Sequence, residues 1–383
     1  MSSIKEFPDE IVLTIMEGMS LKGVLEMTWS CKRFYNLRKS VKKTSEEVVK
    51  VKSVDALRGM IKAMPLLAYG LNLWGTQVSD ISHLSTLVNL KELNLGWTKV
   101  SDISPLISLA NLENLELNNT QVSDFSLLSN LVNLKNLWLG GGKVSDISSL
   151  SNLVNLKNLW LGGGKVSDIS SLSNLVNLKD LYLRGTQVSD VSPLSNLVNL
   201  KELWLGGTEV SDISPLKDLK NLKNLDLSSC EMLSDISSLK NLKNLRDLYL
   251  GSTNVSDVSS LSKLVNLEKL ILANTKISNV SPLSNLINLK DLYLDDTQVS
   301  NVSPLSNLIN LKDLNLPETQ VSDLSPLKDL KNLEYLDLSY TKVTDISPLS
   351  NLVNLNYLDL RWTRVSDVSP LDELKKSGLE IIR

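Results

Sequence analysis

The sequence predicts an α/β solenoid with a parallel sheet on its concave side and a 3₁₀ or irregular convex side, preceded by a small module of three helices. Three observations carry this. Leucines recur in an LxL pattern at a step of 22 residues, unbroken but for one step of 23, over more than 300 residues. Each unit leaves only about ten residues for the path back to the next strand, too few for a regular α-helix. Residues 7–37, FPDEIVLTIMEGMSLKGVLEMTWSCKRFYNL, obey a different, helical periodicity.

The N-terminal module reads as three short helices. On a helix, Ile11, Val12, Leu13, Ile15, Met16 and Met19 span roughly 200° of arc, about twice the stripe that one core requires. Ser20 is placed to cap a second helix with Leu21, Val24, Leu25 and Thr28 on one face, and Cys31, Phe34 and Leu37 suggest a third. Some 40 residues of this kind cannot bury that much apolar surface alone, so part of it must meet another partner. A second N-terminal unit follows. Val49 and Val51 stand 22 residues before Leu71 and Leu73, and Ser53 can cap a helix through 55–64 that Pro65 ends. The expected organisation is therefore a helical module over 4–43, a cap or truncated repeat over 44–70, repeats over 71–378 and a capping strand over 379–383.

Within the repeats, strands start at Leu71 and every 22 residues to Leu225, then from Leu248 to Leu358, with one step of 23 between. A last strand, 379–382, comes one residue early. Leu200, Leu203 and Leu205 typify the inward positions, and the residues between them face out. Threonine fills the turn after the strand in 11 of 14 repeats, where its hydroxyl can satisfy buried backbone; Gly142, Gly164 and Cys230 are the exceptions. Ser-Asp before Ile-Ser-Pro-Leu reads as a capped helical turn with proline near its first position. The Asp column (Asp80, Asp102, Asp124, Asp146 and onward) might suggest a calcium ladder, but 279 and 301 carry Asn, which caps as well and lacks the charge a hard cation wants. These units resemble leucine-rich repeats of the internalin-like and phosphatase-regulatory kinds. The resemblance, over about 66–383, implies a leucine-rich-repeat solenoid and does not name a ligand. The 23-residue unit, LDLSSCEMLSD, looks like a cysteine-containing leucine-rich unit, with Cys230 read as buried in the turn ladder rather than reactive.

The net charge is −3, with 12 Lys/Arg against 8 Asp/Glu in residues 1–70 and the remaining 28 against 35 in residues 71–383. An acidic repeat region disfavours nucleic acid. No run is long enough to span a membrane, MSSIKEFPDE lacks a signal-peptide pattern, and two separated cysteines give no disulfide framework. The expected location is cytoplasmic, or a host's cytosol for a viral protein or bacterial effector. The basic cluster Lys32, Arg33, Arg38, Lys39, Lys42, Lys43 reads as a solvated face before it reads as a nuclear address. His83 is the only histidine, and no nucleophile–base pair, phosphate loop or metal-ligand cluster is visible, so neither an enzyme nor a cofactor or metal is expected.

The outward position between the two strand leucines holds Trp138, Trp160, Tyr182 and Trp204 in succession, then Tyr249 and Tyr293, with Asp226, Asn315 and Asp359 among the other members of the column. Parallel strands are about 4.8 Å apart, so the aromatics should form a stacked stripe. Asp180, Glu202, Asp247, Asp291, Asp295 and Asp296 flank it. Such a strip with an acidic rim suits a basic or extended protein target, and as solvent-facing side chains these aromatics should contribute little to stability. Trp138 and Trp160 lie in identical segments, 129–150 and 151–172, and count as one choice copied.

Residues 4–43 resemble an F-box. Pro8, Glu10, Ile11, Ile15, Met19, Leu21, Leu25, Cys31, Lys32 and Arg33 fall on its pattern, while Phe7, Phe34 and the Gly23-Val24 pair depart from it. The resemblance implies docking of Pro8, Ile11, Ile15, Met19, Leu21 and Leu25 to the Skp-type adaptor of a cullin–RING ubiquitin ligase, the repeats selecting the target. A plain N-terminal cap for the solenoid is the alternative for this module. For the whole chain the alternatives are an interaction scaffold outside the ubiquitin pathway, and a carbohydrate binder using the Trp/Tyr stripe.

Overall fold

The computed structural model describes the backbone of residues 48–50 and residues 70–141 and 143–383. The three-helix module expected over 4–43 and the helix expected over 55–64 lie outside the described residues.

Two compact units make up the chain, Met1–Leu178 and Lys179–Arg383. In the first, strands β1 (Val48–Lys50), β2 (Gly70–Asn72), β3 (Glu92–Asn94), β4 (Asn114–Glu116), β5 (Asn136–Trp138) and β6 (Asn158–Trp160) pair in parallel in chain order. Val49 aligns with Leu71, as the 22-residue step to the truncated unit requires. In the second, β7 (Asp180–Tyr182), β8 (Glu202–Trp204), β9 (Asn224–Asp226), β10 (Asp247–Tyr249), β11 (Lys269–Ile271), β12 (Asp291–Tyr293), β13 (Asp313–Asn315), β14 (Tyr335–Asp337), β15 (Tyr357–Asp359) and β16 (Glu380–Ile382) do the same. The central leucines align from strand to strand, and each stands in a column of fully buried side chains. Leu203, Leu225 and Leu248 are all wholly inaccessible.

The return path is 3₁₀ throughout the described repeats, as in Ser104–Ser108 and Ser214–Asp218. One polar device starts each of these turns. The Oδ1 atoms of Asp102, Asp146, Asp212 and Asp345 each accept the N–H of the serine two residues on at 2.8 Å, and Asn279 and Asn301 do so at 2.9 Å. The cap therefore acts from just ahead of the helical turn, and amide and carboxylate are equivalent in it. These bonds hold the carboxyls of Asp146 and Asp212 below the usual range. Threonine closes the other turn. All eleven threonine hydroxyls donate to the carbonyl three residues back at 2.6–2.9 Å. A third device was not anticipated. The asparagine of the L-V/I-N motif donates its amide to a carbonyl of the preceding unit, as Asn266 does to Lys243 and Asn288 to Val265, both at 2.8 Å.

Cys230 substitutes within the threonine ladder. Its Sγ lies 3.4 Å from both the Thr208 hydroxyl and the Leu205 carbonyl oxygen, and burial pushes its thiol pKa up. The extra residue of this unit is absorbed in the turn, where Met232 is extruded to solvent and Leu233 takes the inward place. The last strand departs from expectation. Leu358 aligns with Ile381, so the step lengthens to 23 instead of shortening. The cause is the helix α1 (Asp372–Lys376), closed by Gly378 at φ +111°, with the Gly378 N–H donating to Lys375 O and the Leu379 N–H to Leu374 O. That Schellman closure inserts a residue before the strand.

Replacing Thr319 by Val keeps the shape and removes a buried 2.7 Å hydrogen bond. The unfolding free energy should drop by about 1–2 kcal/mol, read as a lower denaturation midpoint with unchanged far-ultraviolet circular dichroism.

Candidate functional site

Because aligned leucines fix the register, the outward side chains are forced into columns at strand spacing, and large ones must stack. In the first unit Trp138 and Trp160 stack with centroids 5.4 Å apart and planes 16° from parallel. In the second, Tyr182 and Trp204 stack at 5.8 Å and 7°. Trp204 also reaches Tyr249, at 5.7 Å and 36°, although β9 lies between their strands. The rings lean together over the one small residue of that strand, Asp226, which is 2% exposed.

This corrects two expectations. Asp226, Asn315 and Asp359 do not face a ligand: all three are buried. Their short side chains turn back onto their own strand ends. Asp226 accepts the N–H of Ser228 at 2.9 Å, and Asp359 accepts both the N–H of Arg361 and a 2.6 Å bond from its guanidinium. Nor are the aromatics merely solvent-facing. Tyr182, Trp204, Tyr249 and Tyr293 are half-buried by one another and by carboxylates, so stacking adds about 0.5–1.5 kcal/mol per pair to stability.

The carboxylates organise the rings. Glu202 Oε2 accepts the Tyr182 hydroxyl at 2.8 Å and the Trp204 indole N–H at 3.4 Å, fixing two rings with one group. Asp313 accepts the Tyr293 hydroxyl at 2.7 Å, and burial together with these acids drives the Tyr182 and Tyr293 phenols well above their ordinary pKa. Lys269 pairs with Asp291 at 3.6 Å and lies 5.5 Å from the Tyr293 ring centre. Crowding shows in the acids themselves. Burial, then neighbouring acids, raises Asp180 and Asp247, and Asp313 is raised in the same way. Asp295 is pushed up to about 6, first by burial and then by Asp337 and Asp313.

Of the predicted set, Trp138 and Trp160 belong to the first unit, and the rest lie on the strand face of the second, except one. Asp296 sits at φ +47° on the turn edge and is exposed, away from the strand column. Sequence reasoning missed a further pair on the same face. Tyr335 and Tyr357 stack at 4.5 Å and 4° one residue ahead of the central leucines. The signal was present, as aromatics 22 residues apart, in a column that is otherwise mostly acidic or amide. The proposed docking residues Pro8, Ile11, Ile15, Met19, Leu21 and Leu25 lie outside the described residues. Among the described residues, no group of three or more His, Cys, Asp or Glu side chains is arranged to hold a metal ion, and no helix is long and apolar enough to cross a membrane.

A family model described as Leucine Rich repeats (2 copies) matches residues 110–152, 154–196, 176–218, 198–241, 220–263, 243–285, 265–307, 309–351 and 331–373. The chain belongs to the leucine-rich-repeat family. An internalin (inlF) from Listeria monocytogenes is 33% identical, with a TM-score of 0.73 over 79% of this chain and 88% of the internalin. A leucine-rich-repeat protein of Leptospira interrogans is 21% identical, with a TM-score of 0.65 over 88% of this chain and 100% of that one. The plant peptide hormone receptor RGFR1, in complex with RGF2, is 20% identical, with a TM-score of 0.67 over 87% of this chain and 57% of the receptor chain. The last two likenesses bear on the fold alone. No curated protein matches the sequence significantly.

The raised pKa of Asp295 gives a signed prediction. Its folded pKa lies above the unfolded value near 4, so its contribution to stability is fullest below pH ~4 and is lost as pH rises through ~6. Asp295→Asn should therefore stabilise the protein at pH 7 by about 1–2 kcal/mol and flatten stability between pH 4 and 6, measured by denaturant unfolding across that range.

Proposed function

We propose that this chain is an interaction receptor. Its strand face, from Tyr182 to Tyr357, holds a protein target, and residues 4–43 dock it to the Skp-type adaptor of a cullin–RING ubiquitin ligase. The observation that supports target binding is the Tyr182–Trp204–Tyr249 cluster with Glu202 holding two of its rings. Aromatics already ordered in the free protein lose little entropy on binding, which is the property of an interface anchor. The carboxylates around them (Asp180, Asp247, Asp291, Asp295 and Asp313) favour a basic or extended partner. The ligase half of the reading rests on the F-box resemblance. In that role the chain performs no chemistry; it raises the local concentration of a target lysine near the charged conjugating enzyme, in the cytosol where those partners reside.

A scaffold outside the ubiquitin pathway is the second reading. It is favoured by the 33% identity to the Listeria internalin over most of both chains.

The two halves are tested separately. Ile11→Asp with Ile15→Asp should abolish capture of a purified Skp-type adaptor while circular dichroism of the repeats is unchanged; undiminished capture would remove the ligase role and leave the scaffold. Trp204→Ala should weaken the isolated target by about 2 kcal/mol or more, roughly thirtyfold. Its loss of stacking should cost about 1 kcal/mol of stability. Target affinity equal to wild type would place the interface elsewhere.

A further inference from the structure

A second surface lies on the turn edge of the unit Lys179–Arg383, away from the strand face. After each strand the backbone passes through a left-handed residue. Most repeats place Gly, Asn, Ser or Asp there, such as Gly207, Ser229, Ser252, Asn274 and Asp296. Glu318 departs at φ +56°, as does Trp97 at φ +59° in the other unit, and two successive repeats place Tyr340 at φ +57° and Trp362 at φ +61°. A bulky side chain is disfavoured in this region, and burial does not compensate, because the rings are 54% and 73% exposed. They stack on each other at 5.8 Å and 22°, forming a platform open to solvent. Strained backbone carrying exposed aromatics is a cost that folding does not explain.

A trough of about 820 Å³ runs along the same edge as far as Glu318 and Gln320, the repeat before Tyr340. One wall continues the left-handed column through Asn274, Asp296 and Glu318, and the other holds Lys276, Gln298 and Gln320. Tyr340 and Lys342 are the next members of these two rows, one strand further along. The lining is almost entirely amide, carboxylate and hydroxyl, with no apolar centre of the kind a protein interface buries. Its lining is mildly acidic, with Glu231, Asp296 and Glu318 against Lys276, while Lys342 and Arg364 follow Lys276, Gln298 and Gln320 at the repeat spacing.

We propose that this edge binds a neutral oligosaccharide. Side-chain amides and carboxylates spaced along a groove match the paired hydroxyls of successive sugar rings. The electron-rich faces of Tyr340 and Trp362 match the C–H face of a pyranose. The excess of carboxylates in the lining disfavours a polyanion. The site shares no residue with the target-binding face.

The full chain is titrated with maltohexaose, cellohexaose and chitohexaose as probes, followed by saturation-transfer NMR and calorimetry. At least one probe binds saturably, and Tyr340→Gly with Trp362→Gly weakens it at least tenfold. Glycine suits a left-handed backbone, so this variant keeps or gains thermal stability; Trp362→Asn alone, also at ease there, decides if the double variant fails to fold. Trp204→Ala leaves sugar affinity within twofold. The proposal is overturned if none of the three probes binds, if the glycine variant binds like wild type, or if only a heparin hexasaccharide binds and its binding is lost in the same variant.

Discussion

The surface of the described repeats follows from the alignment of one leucine upon the next. With Leu203, Leu225 and Leu248 in register and without solvent contact, no strand can slip by one residue without turning its leucines outward. The outward residues are then bound to the same register. Neighbours across the sheet are positions 22 or 23 apart in sequence, held at strand spacing whether or not their chemistry agrees. Where they are aromatic they stack. Where they are acidic they crowd, and burial first, then Asp337 and Asp313, push the Asp295 carboxyl up to about 6.

The turns are the second half of that constraint. A parallel strand can recur every 22 residues only if the chain reverses twice within about ten residues. Two local devices make this possible. Threonine satisfies the turn after the strand, and Asp or Asn satisfies the first N–H of the 3₁₀ segment. Both bonds are spent inside the repeat, so the many carboxylates of the Asp column are structural. Cys230 shows the tolerance of the device: its sulfur takes the threonine place but turns to the Leu205 carbonyl and Thr208 hydroxyl of the preceding repeat, and the surplus residue is expelled as Met232.

The leucine columns, the 3₁₀ return, the threonine and Asp roles and the position of Cys230 were legible because each depends on residues within one repeat. What depends on neighbouring repeats was not. Asp226 is buried on the strand between those of Trp204 and Tyr249, whose rings meet across it, which the alternation of a single strand does not reveal. Asp296 looks like a neighbour of Asp295, but a left-handed backbone turns it to the edge. The lengthened step into the last strand comes from a glycine closure that a leucine count overlooks. The Tyr340–Trp362 platform likewise forms only between turn residues of two neighbouring repeats.

The surface proposed to meet a protein target is the strand face of Lys179–Arg383. Hydrogen–deuterium exchange of the full chain with and without its isolated target tests this most directly. Protection is expected in the peptides spanning 180–182, 202–204 and 247–249, with the 3₁₀ segments such as Ser214–Asp218 unchanged. Protection confined to the 3₁₀ segments, with the strands unaffected, would contradict it.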